Sequence, residues 1–195
     1  MAQDDGTRRL SDGSSSPAAR TIRCFVALQP DEAARERLDQ LARRQHGRFP
    51  GARRVRRENL HLTLAFVGAL EAGRARQVAA GLAAAPKAPF DWTLDAVGAF
   101  GGARVLWAGG SHEDLDQLAE RVRRILDSLG VPYDRKAFVA HVTLLRKLPR
   151  EAVREAVHPI EPPILWHAGA PVLLQSRTDA QGTRYLPVAA QPDNG

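Results

Sequence analysis

The sequence predicts an α+β fold with largely antiparallel sheets, arranged as two pseudo-symmetric lobes that flank a central cleft. Three observations predict it. Strand-like and helical segments are mixed along the chain, several strands are joined by short turns, and one strand, helix, strand order occurs twice. The first copy runs from Arg23 to His61 and the second from Arg104 to His141, at nearly equal spacing. A chain of 195 residues suits one domain or one bilobal unit rather than a multidomain assembly.

In the first copy, Ile22–Leu28 is an apolar strand. Pro30 and Asp31 then start a helix whose Ala34, Leu38 and Leu41 share a face, with Gly47 placed beyond its end. A strand at Leu60–Val67 closes the copy. In the second, Arg104–Ala108 is strand-like, and Ser111 with Asp114 three residues on gives a capping signal. Leu115, Leu118, Val122, Leu126 and Leu129 form the stripe of a helix that stops at Gly130, and a strand at Ala140–Leu145 follows. Further helices are expected at Glu71–Ala84 and Arg150–Val157. Further strands are expected near Asp91–Val97, Leu165–Leu174 and Arg184–Val188, with Pro86–Pro89 as the handover between halves. Met1–Arg20 and Gln191–Gly195 carry too little apolar surface to offset the entropy of ordering. They are expected as disordered tails around a single bilobal domain, residues 21–190.

Hydrophobic residues make up 44% and charged residues 26%, which argues against wholesale disorder and a fibrous repeat. No apolar stretch reaches the roughly 18 residues of a membrane span, and the polar opening lacks the apolar segment of a secretory signal. Cys24, the single cysteine, lies in an apolar strand, so it is read as a buried, inert thiol and the cytoplasm as the compartment. A formal net charge of +6 favours polyanionic partners without identifying one.

The second strand of each copy contains the same signature, His61-Leu62-Thr63-Leu64 and His141-Val142-Thr143-Leu144. Side chains alternate across a strand, so Leu60, Leu62, Leu64 and Phe66 are expected on one face and His61 and Thr63 on the other. Ala140, Val142 and Leu144 oppose His141 and Thr143 in the same way. If the copies pack about a pseudo-two-fold, two imidazoles and two hydroxyls meet. One imidazole can then act as a base while the other, beside a phosphate, acts as an acid. The Thr hydroxyls can donate to non-bridging phosphate oxygens, where charge builds in the transition state. Arg146, at odd offset from His141, is expected to reach the same anion, with Lys136 and Lys147 as less specific rim candidates.

These residues resemble the two-histidine (2H) phosphoesterases, a family defined by paired His-x-Thr-x motifs. Within it they are similar to the bacterial and archaeal RNA 2′,3′-cyclic phosphodiesterases, also called 2′-5′ RNA ligases. The resemblance rests on Arg23-Cys24-Phe25-Val26-Ala27-Leu28, on Asn59-Leu60-His61-Leu62-Thr63-Leu64-Ala65-Phe66-Val67-Gly68, and on His141-Val142-Thr143-Leu144-Leu145-Arg146. It extends from about Thr21 to Val188. Leu174-Gln175-Ser176 and Tyr185 match loosely, and Phe138-Val139-Ala140 stands where relatives often have a proline beside the second histidine.

The resemblance implies a bilobal 2H phosphoesterase fold that opens the 2′,3′-cyclic phosphate of an RNA end to a 2′-phosphomonoester, with no metal or other cofactor. His61 and His141 are the implied catalytic pair, with His141 assigned as base and His61 as acid. Ligation through a 2′-5′ bond is the reverse-type reaction, with an RNA 5′-hydroxyl replacing water. The expected partner is RNA with a cyclic phosphate end, tRNA fragments among the candidates, acted on by a monomer away from membranes.

A single strand histidine is more often structural than catalytic. Two with Thr at matching offsets shift the weight to chemistry. His46, His112, His158 and His167 are read as surface residues, and zinc binding at His61 and His141 lacks a third ligand at a consistent offset. Arg53, Arg54, Arg56 and Arg57 form either a solvated loop or an RNA-backbone contact. Phe138 is a candidate for stacking on a base, with a core role as the alternative. Trp92, Trp107 and Trp166 are read as core. Two rival functions remain: the same fold acting on 2′-5′ oligonucleotides or small cyclic phosphates, and a non-catalytic RNA-binding protein.

Overall fold

The structure is a computed structural model that describes residues 20–85, 89–150 and 158–190. Nine strands and three α-helices occur among them. The first half holds β1 (Thr21–Leu28), α1 (Glu32–Arg48), β2 (Arg53–Arg54), β3 (Leu62–Glu71) and α2 (Ala72–Ala84). There follow β4 (Phe90–Phe100), β5 (Val105–Gly109), α3 (Glu113–Ser128), β6 (His141–Arg146), β7 (His158–Ala168), β8 (Val172–Asp179) and β9 (Gly182–Pro187). Apart from the end residues Arg20, Pro89 and Arg150, the expected tails, the Pro86–Pro89 handover and the helix at Arg150–Val157 lie outside the described residues.

The strand pairs are antiparallel and run in the order β7-β4-β5-β6-β3-β1-β8-β9, with β2 beside β6. The two middle strands, β3 and β6, meet at one residue pair, Leu62 with Val142. A four-stranded lobe therefore lies on each side of that pair. The halves are not contiguous in sequence. After β7 completes the second lobe, β8 and β9 return to the first and pair beside β1.

The helices cross between lobes. α1, which follows β1, packs on β6 and β7 of the second lobe, while α3, which follows β5, packs on β3 of the first and on α2. One continuous core results, running from Val26, Leu38 and Leu62 to Leu126, Val142 and Trp166. Each lobe buries its sheet partly under the other lobe's helix, so neither has a complete core alone.

Local chemistry explains the helix boundaries. Asp31 accepts a hydrogen bond from the Ala34 amide at 2.9 Å, which starts α1. The helix does not stop at Gly47, as expected, but continues to Arg48, where Phe49 turns into the core. The cap of α3 is His112 rather than Ser111: its Nδ1 accepts from the Asp114 amide at 3.3 Å. Gly130, at φ +61, ends the segment in the left-handed region. The expected strand at Leu165–Leu174 proves to be the end of β7, a turn at Gly169-Ala170-Pro171, and the start of β8.

Matching bulges interrupt the two central strands. The β1/β3 register shifts between Thr63 and Ala65, and the β5/β6 register shifts between Thr143 and Leu145. Leu64 and Ala65 are consequently both buried, as are Leu144 and Leu145. Alternation reverses beyond each bulge. Phe66 therefore leaves the face of Leu60, Leu62 and Leu64 expected for it and is 57% exposed.

The crossed helices predict one cooperative unfolding transition. Trp92, Trp107 and Trp166 all report on the second lobe, whereas far-ultraviolet circular dichroism reports on both. The two signals are expected to coincide in urea. Leu62→Ala, at a fully buried junction position, is expected to lower stability by about 2–4 kcal/mol without splitting the transition. Separate midpoints for the two probes would contradict the interlocked core.

Candidate active site

An antiparallel residue pair has a local two-fold between its members. Around Leu62 and Val142 that axis relates His61 to His141 and Thr63 to Thr143, with His61 across from Thr143 and Thr63 across from His141. Leu62 and Val142 are fully buried in the core, so the flanking imidazoles and hydroxyls face the other way. Of these four, His61 and Thr143 line a cleft with Arg146, Arg53, Arg54, Arg56, Asn59, Thr183 and Tyr185, while His141 and Thr63 lie outside its lining.

Both rings are fixed by the same local bond. The His61 Nδ1–H donates to the Asn59 carbonyl at 2.7 Å, and the His141 Nδ1–H donates to the Val139 carbonyl, also at 2.7 Å. A carbonyl can only accept, so each neutral ring keeps its proton on Nδ1 and its lone pair on Nε2. Thr63 Oγ1 lies 3.1 Å from His61 Nε2 and donates to it when the ring is neutral. Asn59 also anchors β9, its Nδ2 donating to the Thr183 carbonyl at 2.7 Å. One residue thus orients His61 and attaches the hairpin that carries Tyr185.

Aromatic rings flank each imidazole. His61 lies 4.9 Å from Phe25 and 5.0 Å from Tyr185 between ring centroids, while His141 lies 5.0 Å from Phe100 and 6.4 Å from Trp107. Burial pushes the His61 pKa down to about 4 against the opposing pull of the Asn59 carbonyl, with smaller contributions from Arg146 and His141. Burial and Arg146 also hold His141 below the ordinary imidazole range, opposed by the Val139 carbonyl. Burial thus favours the neutral form of both rings.

Arg146 reaches this face because of the bulge. An odd offset from His141 on a regular strand would send it to the opposite side, but Leu144 and Leu145 both turn inward and return Arg146 to the histidine face. Phe66 occupies the corresponding place after the first motif, its ring 6.3 Å from that of Phe25. Phe138 is half-buried and packs against the main core, outside the residues lining the cleft. Trp107 corrects its expected core role: it is half-buried on the histidine face, whereas Trp92 and Trp166 are buried.

The basic run divides by partner. Arg54 donates at 2.5 Å to Asp39, a buried carboxylate on α1 that also accepts from Arg43 at 2.8 Å. Arg57 pairs with Glu32 and Glu36 of the same helix. Arg53, Arg54 and Arg56 all line the cleft; Arg56 donates to the Gln181 carbonyl and lies 3.9 Å from Glu58. Lys136 is bound to Asp134 at 2.9 Å. His167, read as a surface residue, has its Nδ1 2.5 Å from Asp91 across the β4/β7 pair, which raises its pKa. Cys24 is buried and its thiol is pushed up to about 11. Among the described residues, no three His, Cys, Asp or Glu side chains gather as a metal-holding group, and no helix is long and apolar enough to cross a membrane.

Sequence reasoning missed Asn59, Thr183, Phe25, Phe100 and Trp107 as parts of this site. Asn59 had a signal in its place two residues before His61. The aromatic residues lie on neighbouring strands whose register only the folded sheet supplies.

The chain belongs to the LigT-like phosphoesterases, one branch of the 2H phosphoesterases. Residues 28–107 match the family model described as "LigT like Phosphoesterase". Among curated relatives, the RNA 2′,3′-cyclic phosphodiesterase of Escherichia coli is 33% identical over 171 residues, which cover 85% of this chain and 93% of the relative. That of Archaeoglobus fulgidus is 35% identical over 129 residues, covering 64% of this chain and 72% of the relative. Among solved structures, E. coli LigT complexed with 3′-AMP superposes with a TM-score of 0.74 at 30% identity, covering 86% of this chain and 95% of that one.

The depressed His61 pKa makes the protein sensitive to acid. An unfolded histidine takes up a proton near pH 6.5, whereas folded His61 does so only near pH 4. Between these values the unfolded state binds the extra proton, so stability falls as pH is lowered through that window and levels off below it. The expected loss is on the order of 2 kcal/mol. Urea titrations of the wild type and His61→Gln at pH 7, 5.5 and 4.5 should show a smaller acid loss in the variant; identical losses would show that His61 is not the buried neutral ring.

Proposed function

We propose that this phosphoesterase hydrolyses the 2′,3′-cyclic phosphate at RNA 3′ ends, leaving a 2′-phosphomonoester, through acid and base catalysis by His61 and His141. The observation that carries the reading is the pair of Nε2 atoms related by a local two-fold, each on a ring locked in the same tautomer. Support also comes from the substrate named for the relatives and from the LigT structure with bound 3′-AMP.

In this mechanism a water molecule attacks phosphorus in line with the departing O3′. His141 Nε2 takes the water proton as the P–O bond forms, and His61 Nε2–H gives a proton to O3′ as the old P–O bond breaks. The phosphate remains on O2′. Thr143 and Thr63 donate to the non-bridging oxygens, and Arg146 offsets their charge. Thr63 must first exchange its bond to His61 Nε2 for one to phosphate. With an RNA 5′-hydroxyl as the attacking group, the same pair supports 2′-5′ ligation. Guanidinium groups bring the positive charge to the cleft, which suits a metal-independent reaction. Residues 21–190 form the proposed functional unit.

Because burial disfavours the charged form of both rings, the acid acquires its proton as the anion arrives. Binding of a nucleoside 2′-phosphate is expected to be accompanied by proton uptake and to strengthen as pH falls from 8 to 6. Calorimetry in two buffers of different ionisation enthalpy measures this directly, and uptake of no proton would remove the acid from the scheme.

The decisive assay supplies an oligonucleotide ending in a 2′,3′-cyclic phosphate, in the presence of a chelator, and identifies the product. A 2′-phosphomonoester is expected. A 3′-phosphate, or cleavage of a 2′-5′ dinucleotide alone, would overturn the reading. Replacing bridging O3′ by sulfur, a better leaving group, should largely rescue His61→Ala and not His141→Ala; the reverse pattern would exchange their roles. Thr143→Ala should slow turnover about ten- to a thousandfold.

A further inference from the structure

The cleft carries more positive charge than its proposed reaction needs. A 2′,3′-cyclic phosphodiester has one negative charge, and Arg146, whose charge lowers the pKa of both histidines, is placed to meet it. Arg53 is the direct cross-strand partner of Arg146 in the β2/β6 pair, while the next pair joins Arg54 to buried Leu145. Cross-strand partners share a face. Leu145 takes the core side, and Arg54, which also borders the cleft, is held by Asp39, whereas Arg53 stands beside Arg146 over the cleft.

Like charges placed directly opposite destabilise a sheet. Among the described residues, no carboxylate lies within ion-pair distance of Arg53 or Arg146, whereas Arg54 and Arg57 are both paired with acids of α1. Arg56 converges on the same place, with only an exposed Glu58 contact at 3.9 Å to offset its charge. The nearest Arg56 and Arg53 nitrogens lie 3.4 and 3.9 Å from the position a Cβ would occupy on Gly182, so the hairpin turn approaches both guanidiniums without a side chain between. Two guanidiniums thus stand beside the one nearest the histidines, held by β2 and by the Gln181 carbonyl.

Resting on the RNA reading above, we infer that Arg53, with Arg56 beside it, forms a second phosphate site that takes the phosphate on O5′ of the terminal nucleotide. In an RNA end this is the phosphodiester to the preceding nucleotide. The site makes the enzyme selective for a cyclic end that continues into a chain over a free nucleoside cyclic phosphate. Arg146 serves the reacting phosphate and Arg53 the next one, so the repulsive cross-strand pair is neutralised when RNA binds.

Three substrates test it with the full chain: adenosine 2′,3′-cyclic phosphate, its 5′-phosphorylated form, and the dinucleotide ApA ending in the cyclic phosphate. The wild type is expected to prefer the dinucleotide over the nucleoside by tenfold or more in kcat/KM, mostly through KM, with the advantage shrinking as salt rises. Arg53→Ala and Arg53→Gln should each erase most of that preference, whereas Arg57→Ala, altered on the α1 side, should keep it. The 5′-phosphorylated nucleoside identifies the source: a gain equal to the dinucleotide's means that a terminal phosphate suffices, and a gain confined to the dinucleotide means that the diester is read. No wild-type preference, or an equal loss on all three substrates in the Arg53 variants, would overturn the second site. Failure of the wild type on all three would instead remove the RNA reading on which it rests.

Discussion

The junction between Leu62 and Val142 is the contact on which the site depends. The two central strands pair there and then diverge, so a single antiparallel step joins the lobes and sets the axis relating the motifs. Both side chains are fully buried, beneath helices that cross from the opposite lobe. Hydrophobic packing thereby fixes the separation of two polar groups that never touch it. A looser joint would let the lobes hinge, and the imidazoles with them.

The polar face works against its own surroundings. Aromatic neighbours withdraw the rings from water, which favours the neutral imidazole, and Arg146 adds repulsion in the same direction. The carbonyls of Asn59 and Val139 oppose both by accepting the Nδ1 protons. These opposing effects leave the rings fixed in orientation but short of a proton. An anion in the cleft reverses the arginine's influence by neutralising it, coupling the charge state of the histidines to occupancy.

Much of this was legible in the sequence because the motifs sit on strands whose partners repeat. The His-x-Thr spacing gives the polar face by alternation alone, and the repeated strand and helix order gives the approximate symmetry. The bulges were not legible. Leu64-Ala65 and Leu144-Leu145 read as ordinary apolar continuations, and only the shifted register reveals that both members of each pair turn inward. That one effect moves Phe66 and Arg146 to the histidine face. The division of the arginine run was equally hidden, since Asp39, Glu32 and Glu36 are distant in sequence and belong to a helix packed behind the cleft. Asp91 meets His167 only through the β4/β7 register, and Phe138 packs inward because the core extends beneath it.

The matched bulges carry a consequence for how a ligand enters. Equivalent backbone irregularities deliver a phenyl group at 66 and a guanidinium at 146, so an otherwise symmetric pair of His-x-Thr motifs presents unlike ends. A mirror-matched face would present the same groups to a ligand in either direction. Phe66 gives one end of the histidine face a flat apolar group and Arg146 gives the other a cation, so the face has a head and a tail. Duplication supplies the paired chemistry, and one unlike residue after each copy supplies its polarity.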